Sequence, residues 1–232
     1  MDTLPHGISI DPVLQAIWPD TALGYIFWSA PVLAQEPQLW NFFASHTQPR
    51  LARLLADTEL ADMPQIGPSR RAFKAFGRDP GRVRISSEAL YRRLRQGKEL
   101  YRINSAVDAN NLVSLESGFS LGTYDLARLQ GNLVLRLGNE GETYAGIGKD
   151  KLDLLRMPLL ADDLGPFGCP CSDSHRAMII ADAQGAATPR AMLTVVYGFS
   201  GCEPMQEALA LARGHFTAFA GARISATGVV CR

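Results

Sequence analysis

The apolar positions of this chain fall into runs of two kinds. Some are unbroken and bounded by turn residues, as in buried strands; others return every three to four residues, as on one face of a helix. The run A-L-G-Y-I-F-W-S-A-P-V-L, bounded by Pro19 and Pro31, predicts a buried strand over Leu23 to Ser29. From Gln38 to about Leu60 the spacing predicts two helical pieces broken near Pro49, with His46 a surface or capping residue at the break. Pro68-Ser69 precedes a short predicted helix, Arg70 to Phe76, stopped by Gly77, and Asp79-Pro80-Gly81 marks a turn. Ser86 or Ser87 is placed to cap the next helix, with Glu88 at its positive end, Leu90 and Leu94 as its apolar stripe and Gly97 as its close. Later strands are predicted over Leu133 to Leu137, Glu142 to Ile147, Ala177 to Ala181, Ala191 to Phe199 and Arg223 to Cys231. Gly146-Ile147-Gly148 reads as a hairpin or bulge rather than a phosphate loop. Between the last two strands, Glu203-Pro204 opens a helix on which Met205, Leu209, Ala212, Phe216 and Phe219 repeat, with His215 a packing or surface residue. Strands and helices in separate blocks predict an α+β class. No repeat or low-complexity linker divides residues 1–232, which reads as one domain. Within it, about 1–65 form an N-terminal layer, about 66–200 the central region, and about 201–232 a helix and strand.

One stretch breaks the ordinary pattern. Tyr101 to Asp125 reads Y-R-I-N-S-A-V-D-A-N-N-L-V-S-L-E-S-G-F-S-L-G-T-Y-D. Asn104, Asp108 and Asn111 are four and three apart, so a helix would carry them on one face, with Val107, Leu112 and Leu115 on its apolar side and Gly118 as its stop. An extended piece ending in Gly122-Thr123-Tyr124-Asp125 follows. A polar row on a half-buried helix is either a hydrogen-bond network that locks the helix to its neighbours or the wall of a small-molecule pocket. The residue types leave both open.

Composition narrows the class. A chain of 232 residues, 47% hydrophobic and 20% charged, can bury a core and is expected to be soluble and globular rather than disordered. No apolar run approaches the ~20 residues of a membrane span. The N-terminus, M-D-T-L-P-H-G, lacks a basic n-region, so no secretion signal is expected, His6 is a terminal residue without a role, and the cytoplasm is the default location. Four cysteines do not suggest a disulfide scaffold. Net charge is zero, yet eleven basic residues against three acidic ones lie between Arg70 and Arg102. That surplus can present one positive face to a polyphosphate backbone, or it can be two helices with solvated basic faces.

Residues 162–176, D-D-L-G-P-F-G-C-P-C-S-D-S-H-R, read as an irregular loop of the sort that carries binding sites. Cys169, Cys171 and His175 lack a fourth ligand at zinc-site spacing, with Cys202 and Cys231 isolated, and no orienting group marks a cysteine–histidine nucleophile pair. Small thiols in a tight loop are the expectation, with no metal and no cofactor. Ser172, Asp173 and Ser174 are either turn formers bonding the local backbone or residues facing a pocket.

The order of residues adds a resemblance. I-N-x-x-V-D-x-x-N-x-V-x-L-E-x-G followed by L-G-x-Y-D-L resembles the B3/4 domain of the bacterial phenylalanyl-tRNA synthetase beta chain, and more closely the free-standing B3/4 proteins that carry it without a synthetase. S-R-R-A-F-K-A-F-G-R-D-P-G-R-V-R-I-S-S-E-A-L-Y-R-R and the G-P-x-G-x-P-x-S-D-S portion of the later loop are similar to the free-standing members, so the likeness runs from about Arg70 to about Tyr197. It implies layered β-sheets, an unusual β-sandwich, flanked by helices. It also implies a pocket whose polarity comes from Asn104, Asp108 and Asn111, whose wall is Gly122, Thr123 and Tyr124, and whose opposite side is Ser172, Asp173 and Ser174. Arg70, Arg71, Lys74, Arg92, Arg93 and Arg95 would contact a tRNA backbone. The implied partner is tRNA or aminoacyl-tRNA, with neither DNA nor membrane, and the implied activity is hydrolysis of misacylated aminoacyl-tRNA in trans. Synthetase members carry a histidine where this chain has Gly122, a glycine that free-standing members share. Two other functions fit the same residues: a non-catalytic RNA-binding module, and a protein that binds amino-acid derivatives without RNA.

Overall fold

The computed structural model describes residues 7–181 and 188–231, so the expectations placed on the first six residues, His6 included, lie outside the described residues. It is an α+β fold of layered sheets flanked by helices. Strands β1 (Ile8–Ile10), β4 (Leu133–Leu137), β7 (Pro158–Asp162) and β8 (Gly165–Gly168) form one sheet in the order β1-β4-β7-β8. Strands β2 (Ala22–Ala30), β3 (Ser120–Asp125), β9 (Arg190–Gly198) and β10 (Arg223–Val230) form a second in the order β10-β2-β9-β3, antiparallel throughout. Strands β5 (Thr143–Gly146) and β6 (Lys149–Asp153) form a separate two-stranded hairpin, turning at Gly148 with φ +73° and bridged through Gly146 to Ser174.

The apolar run of β2 is unbroken because the strand is central and covered. Helix α7 (Glu203–Ala220) lies along it, Phe216 stacking on Trp28 at 4.7 Å between ring centroids. Gly24 lets the helix pack close there, since a Cβ would sit 2.7 Å from Met205 Sδ and displace that side chain. Pro204 occupies the first turn of α7, where an amide hydrogen has no helical partner, and Gly221 ends it at φ +63°. No described helix is long and apolar enough to cross a membrane.

Several local expectations are corrected. Helix α1 (Pro12–Ile17), with Asp11 accepting from the Val13 amide at 2.6 Å, and the short strands β1 and β7 were not anticipated. The predicted break near Pro49 is a π-helical turn, Phe43–Thr47, joining α2 (Pro37–Phe42) to α3 (Gln48–Asp57); Pro49 sits in the first turn of α3 and interrupts nothing. Helix α4 spans Ile66–Ala75, so Pro68 lies within its first turn rather than before it. Neither serine caps α5 (Ser86–Arg95). The Ser86 amide donates to the Pro170 carbonyl at 2.7 Å, and Ser87 Oγ is buried 3.2 Å from Ser120 Oγ. Residues 178–181 form no strand, following instead a 3-10 turn at His175–Ala177, whereas part of the expected irregular loop is the strand β8. Cys202 and Cys231 are not isolated: they form a disulfide that ties the end of β10 to the start of α7.

Candidate functional site

Helix α6 (Ser105–Ser117) has no polar face and apolar back of the kind its spacing predicts; it is buried around most of its girth. Asn104 is its N-cap, accepting from the Val107 amide at 2.9 Å and donating to the Ile179 carbonyl at 3.3 Å. Asp108 is buried and accepts from the Ile103 amide (2.8 Å) and Trp40 Nε1 (3.1 Å), which fix the segment leading into the helix. Burial raises the Asp108 pKa against the pull of those two hydrogen bonds. Asn111 is half-buried. The asparagine that reaches the sheet is its neighbour Asn110, absent from the predicted set. Its Nδ2 donates to the Leu121 carbonyl at 3.4 Å and its Oδ1 accepts from Thr123 Oγ1 at 2.9 Å. Thr123 continues to Thr194 Oγ1 (2.8 Å), which accepts from Trp28 Nε1 (2.9 Å), so one polar chain links α6, β3, β9 and β2. The usable signal was the i, i+4 pair Asn110 and Ser114, because Ser114 also bonds the backbone beyond the helix, at the Phe119 carbonyl.

Strand alternation then divides the predicted pocket. Thr123 points to the α6 side of the sheet; Gly122 and Tyr124, one residue away, point to the other. There Tyr124 is fully buried, donating to Asp173 Oδ1 at 2.7 Å and lying 2.6 Å from Tyr197 Oη. A Cβ at Gly122 would fall on Tyr124 Oη, and so would one at Gly168, so the phenol fills the space of two absent side chains. The structure therefore brings Gly122, Tyr124 and Asp173 together. Asn104, Asp108 and Asn111 belong to the helix beyond the sheet. Concavities of about 210 to 470 Å³ occur among the described residues, and none of those described has any of the nine predicted pocket residues in its lining.

The loop carrying Asp173 is held on every side. Ile147 N–H donates to the Asp173 carbonyl at 2.9 Å, Ser172 Oγ to the Ile147 carbonyl at 3.3 Å, and Tyr144 Oη to the Ser172 carbonyl at 2.5 Å. Ser174 Oγ accepts from the Arg176 amide at 3.1 Å and starts the 3-10 turn. Arg176 forms a two-pronged ion pair with Asp162 (2.8 and 3.1 Å), residues the sequence did not single out. Cys169 is buried with its thiol on the Ser172 carbonyl at 3.2 Å, and His175 is exposed. Within this frame Asp173 is the one side chain of the three, Ser172 to Ser174, that reaches across to β3. Burial pushes its pKa up to about 8, against the Tyr124 hydrogen bond, which favours the ionised form. Burial and the facing carboxylate hold Tyr124 and Tyr197 protonated, well above the ordinary phenol range.

The basic residues also divide. Glu88 lies in the first turn of α5, at its positive end as expected, and is also buried between Arg70 (2.9 Å) and Arg92 (2.8 Å). Arg95 turns to the Leu55 and Thr58 carbonyls and braces α3. Arg93 bonds the Glu99 carbonyl and covers one face of Tyr101, 3.9 Å from the ring centroid. Arg71, Lys74, Arg84 and Lys98 are exposed and pair with no carboxylate among the described residues.

Residues 68–190, more than half of the chain, match the family model for the B3/4 domain. The chain belongs to the B3/4 domain family. Over 65 residues it is 35% identical to the phenylalanine–tRNA ligase beta subunits of Brucella abortus and Brucella suis, a match covering 28% of this chain and 8% of each relative. The chain thus matches only a small part of those proteins. Among solved structures, an N-terminal fragment of the phenylalanyl-tRNA synthetase beta subunit from Pyrococcus horikoshii aligns over 95% of this chain and 50% of its own. That alignment has 13% identity and a TM-score of 0.44.

Proposed function

We propose that this B3/4 protein binds aminoacyl-tRNA and hydrolyses the ester of misacylated forms in trans. The observation that carries the reading is the Asp173 carboxyl, set by the Tyr124 hydroxyl at 2.7 Å and raised to a pKa of about 8 by burial. An aminoacyl ester is already reactive, so a site need only orient water, take its proton and steady the developing oxyanion. An Asp173 carboxylate of raised pKa is a stronger base than an ordinary one and titrates near neutral pH, where a general base is most effective. It takes the proton of a water whose oxygen bonds to the ester carbon. When the carbon–oxygen bond to the ribose breaks, the same proton passes to the departing hydroxyl. The Tyr124 hydrogen bond stabilises the ionised carboxylate before attack. The exposed Arg71 and Lys74, with Arg70 and Arg92 half-neutralised beside them on Glu88, supply cations for the tRNA backbone.

A second reading, an RNA-binding module without turnover, is favoured by Gly122. Where the synthetase motif has a histidine, Tyr124 Oη fills the space. Deacylation of a panel of mischarged tRNAs separates the two. Turnover that falls at least ~100-fold in Asp173→Asn, the lower range for losing a general base, supports hydrolysis at this site. Salt-sensitive tRNA binding without turnover supports the second reading. Equal rates for wild type and Asp173→Asn would remove Asp173 from the chemistry.

A further inference from the structure

A concavity of about 320 Å³ opens between α5 and residues 98–101. We infer that this cleft binds an unpaired RNA strand, with a base stacked on Tyr101 and phosphates met by Arg84, Arg93 and Lys98.

Three observations converge on that ligand. First, the lining is one-signed: Arg84, Arg92, Arg93 and Lys98 contribute and no aspartate or glutamate does. Arg92 is paired to buried Glu88, whereas Arg84 and Lys98 are exposed and Arg93 bonds a carbonyl and a ring, which leaves three cations without a carboxylate among the described residues. Second, Tyr101 is a large aromatic ring left 63% exposed. One face of its ring is held by the Arg93 guanidinium at 3.9 Å, so the ring is pre-oriented while its second face stays open. A positive groove with an aromatic platform is the arrangement that holds single strands, because unstacked bases offer a π-face and a duplex does not. Third, the volume lies at the low end of the range for small-ligand pockets, about 300 Å³ upward, so it has room for about one nucleotide.

This deepens the tRNA reading by naming the unpaired part of an RNA as what the protein grips here; it rests on RNA being the partner but not on hydrolysis. The experiment is fluorescence anisotropy with a short labelled single-stranded RNA, and the same strand annealed to its complement, over a salt series. With three phosphates neutralised, log K should fall with log salt at a slope of about −2. Arg84→Ala combined with Lys98→Ala should bring that slope to about −0.7. Tyr101→Ala should weaken binding about tenfold, in the range of one lost base stack, with the slope unchanged, and Tyr101→Phe should retain wild-type affinity. All three positions contribute little to the core, so circular dichroism should match the wild type. Equal affinity for duplex and single strand, an unaltered slope in the double variant, or full affinity in Tyr101→Ala overturns the inference. Deacylation is scored separately: loss of turnover with these binding results intact refutes the hydrolytic reading alone.

Discussion

Gly122 gives the sharpest test of the reasoning, because the residue type is dictated by a neighbour two positions along the same strand. In Gly122→Ala the new Cβ would fall on Tyr124 Oη and lie 3.1 Å from Asp173 Oδ1, so the phenol must leave. Tyr124 is at zero exposure and its hydroxyl serves Asp173 at 2.7 Å and Tyr197 at 2.6 Å. Losing the hydrogen bond to the Asp173 carboxyl, largely protonated below pH 8, costs about 1 kcal/mol, and forcing a buried ring from its place a further 1–3 kcal/mol or so. A loss of about 2–4 kcal/mol is expected in urea unfolding near neutral pH, read as a fall in midpoint at constant slope. The double-mutant cycle with Tyr124→Ala isolates the cause: in that background the obstructing phenol is gone, and Gly122→Ala should cost under about 1 kcal/mol. Full stability of the single variant, or an equal cost in both backgrounds, would falsify the claim that the phenol excludes a side chain at position 122.

Asp173→Asn should raise stability at neutral and alkaline pH. A carboxyl raised from 3.8 to about 8 in the folded state gives its full contribution below about pH 4 and loses it as pH rises through about 8; the variant should therefore be more stable at pH 8, by up to about 5 kcal/mol, and indistinguishable near pH 4, by thermal or urea melts at both values. Wild-type deacylation, after subtraction of the uncatalysed rate, should climb with an inflection near pH 8, and no inflection should remain in the variant. Glu88→Gln should cost about 2 kcal/mol in chemical denaturation, because it weakens charged hydrogen bonds to both Arg70 and Arg92, while freeing those arginines and steepening the salt dependence of RNA binding. Replacing Cys202 and Cys231 by serine opens a cross-link spanning 29 positions and should lower stability by about 3–4 kcal/mol, with wild type in reductant behaving alike; identical melts in all three samples would mean the bridge constrains nothing.

Family, class and most long elements were legible in the sequence alone. An unbroken apolar run marked β2, a 3.6-residue repeat marked α7, and glycines at Gly118 and Gly77 stopped helices, because these signals are local and need no knowledge of what lies opposite. The motif between Ile103 and Leu126, with its neighbours, carried the resemblance that the match over residues 68–190 confirms at the level of the family. Short elements such as α1 and β8 escaped, since six and four residues hold too little periodicity to separate strand from loop. What the chain order could not express is which side of a sheet a residue occupies relative to elements far away. Asn110 instead of Asn111 meets Thr123, Glu88 is buried between two arginines, and Cys202 finds Cys231 only because β10 returns alongside β2. The tertiary structure alone decided that Asp173 faces Tyr124 while Asp108 lies beyond the sheet: adjacent residues of a strand point in opposite directions, so one intervening strand separates what spacing had grouped.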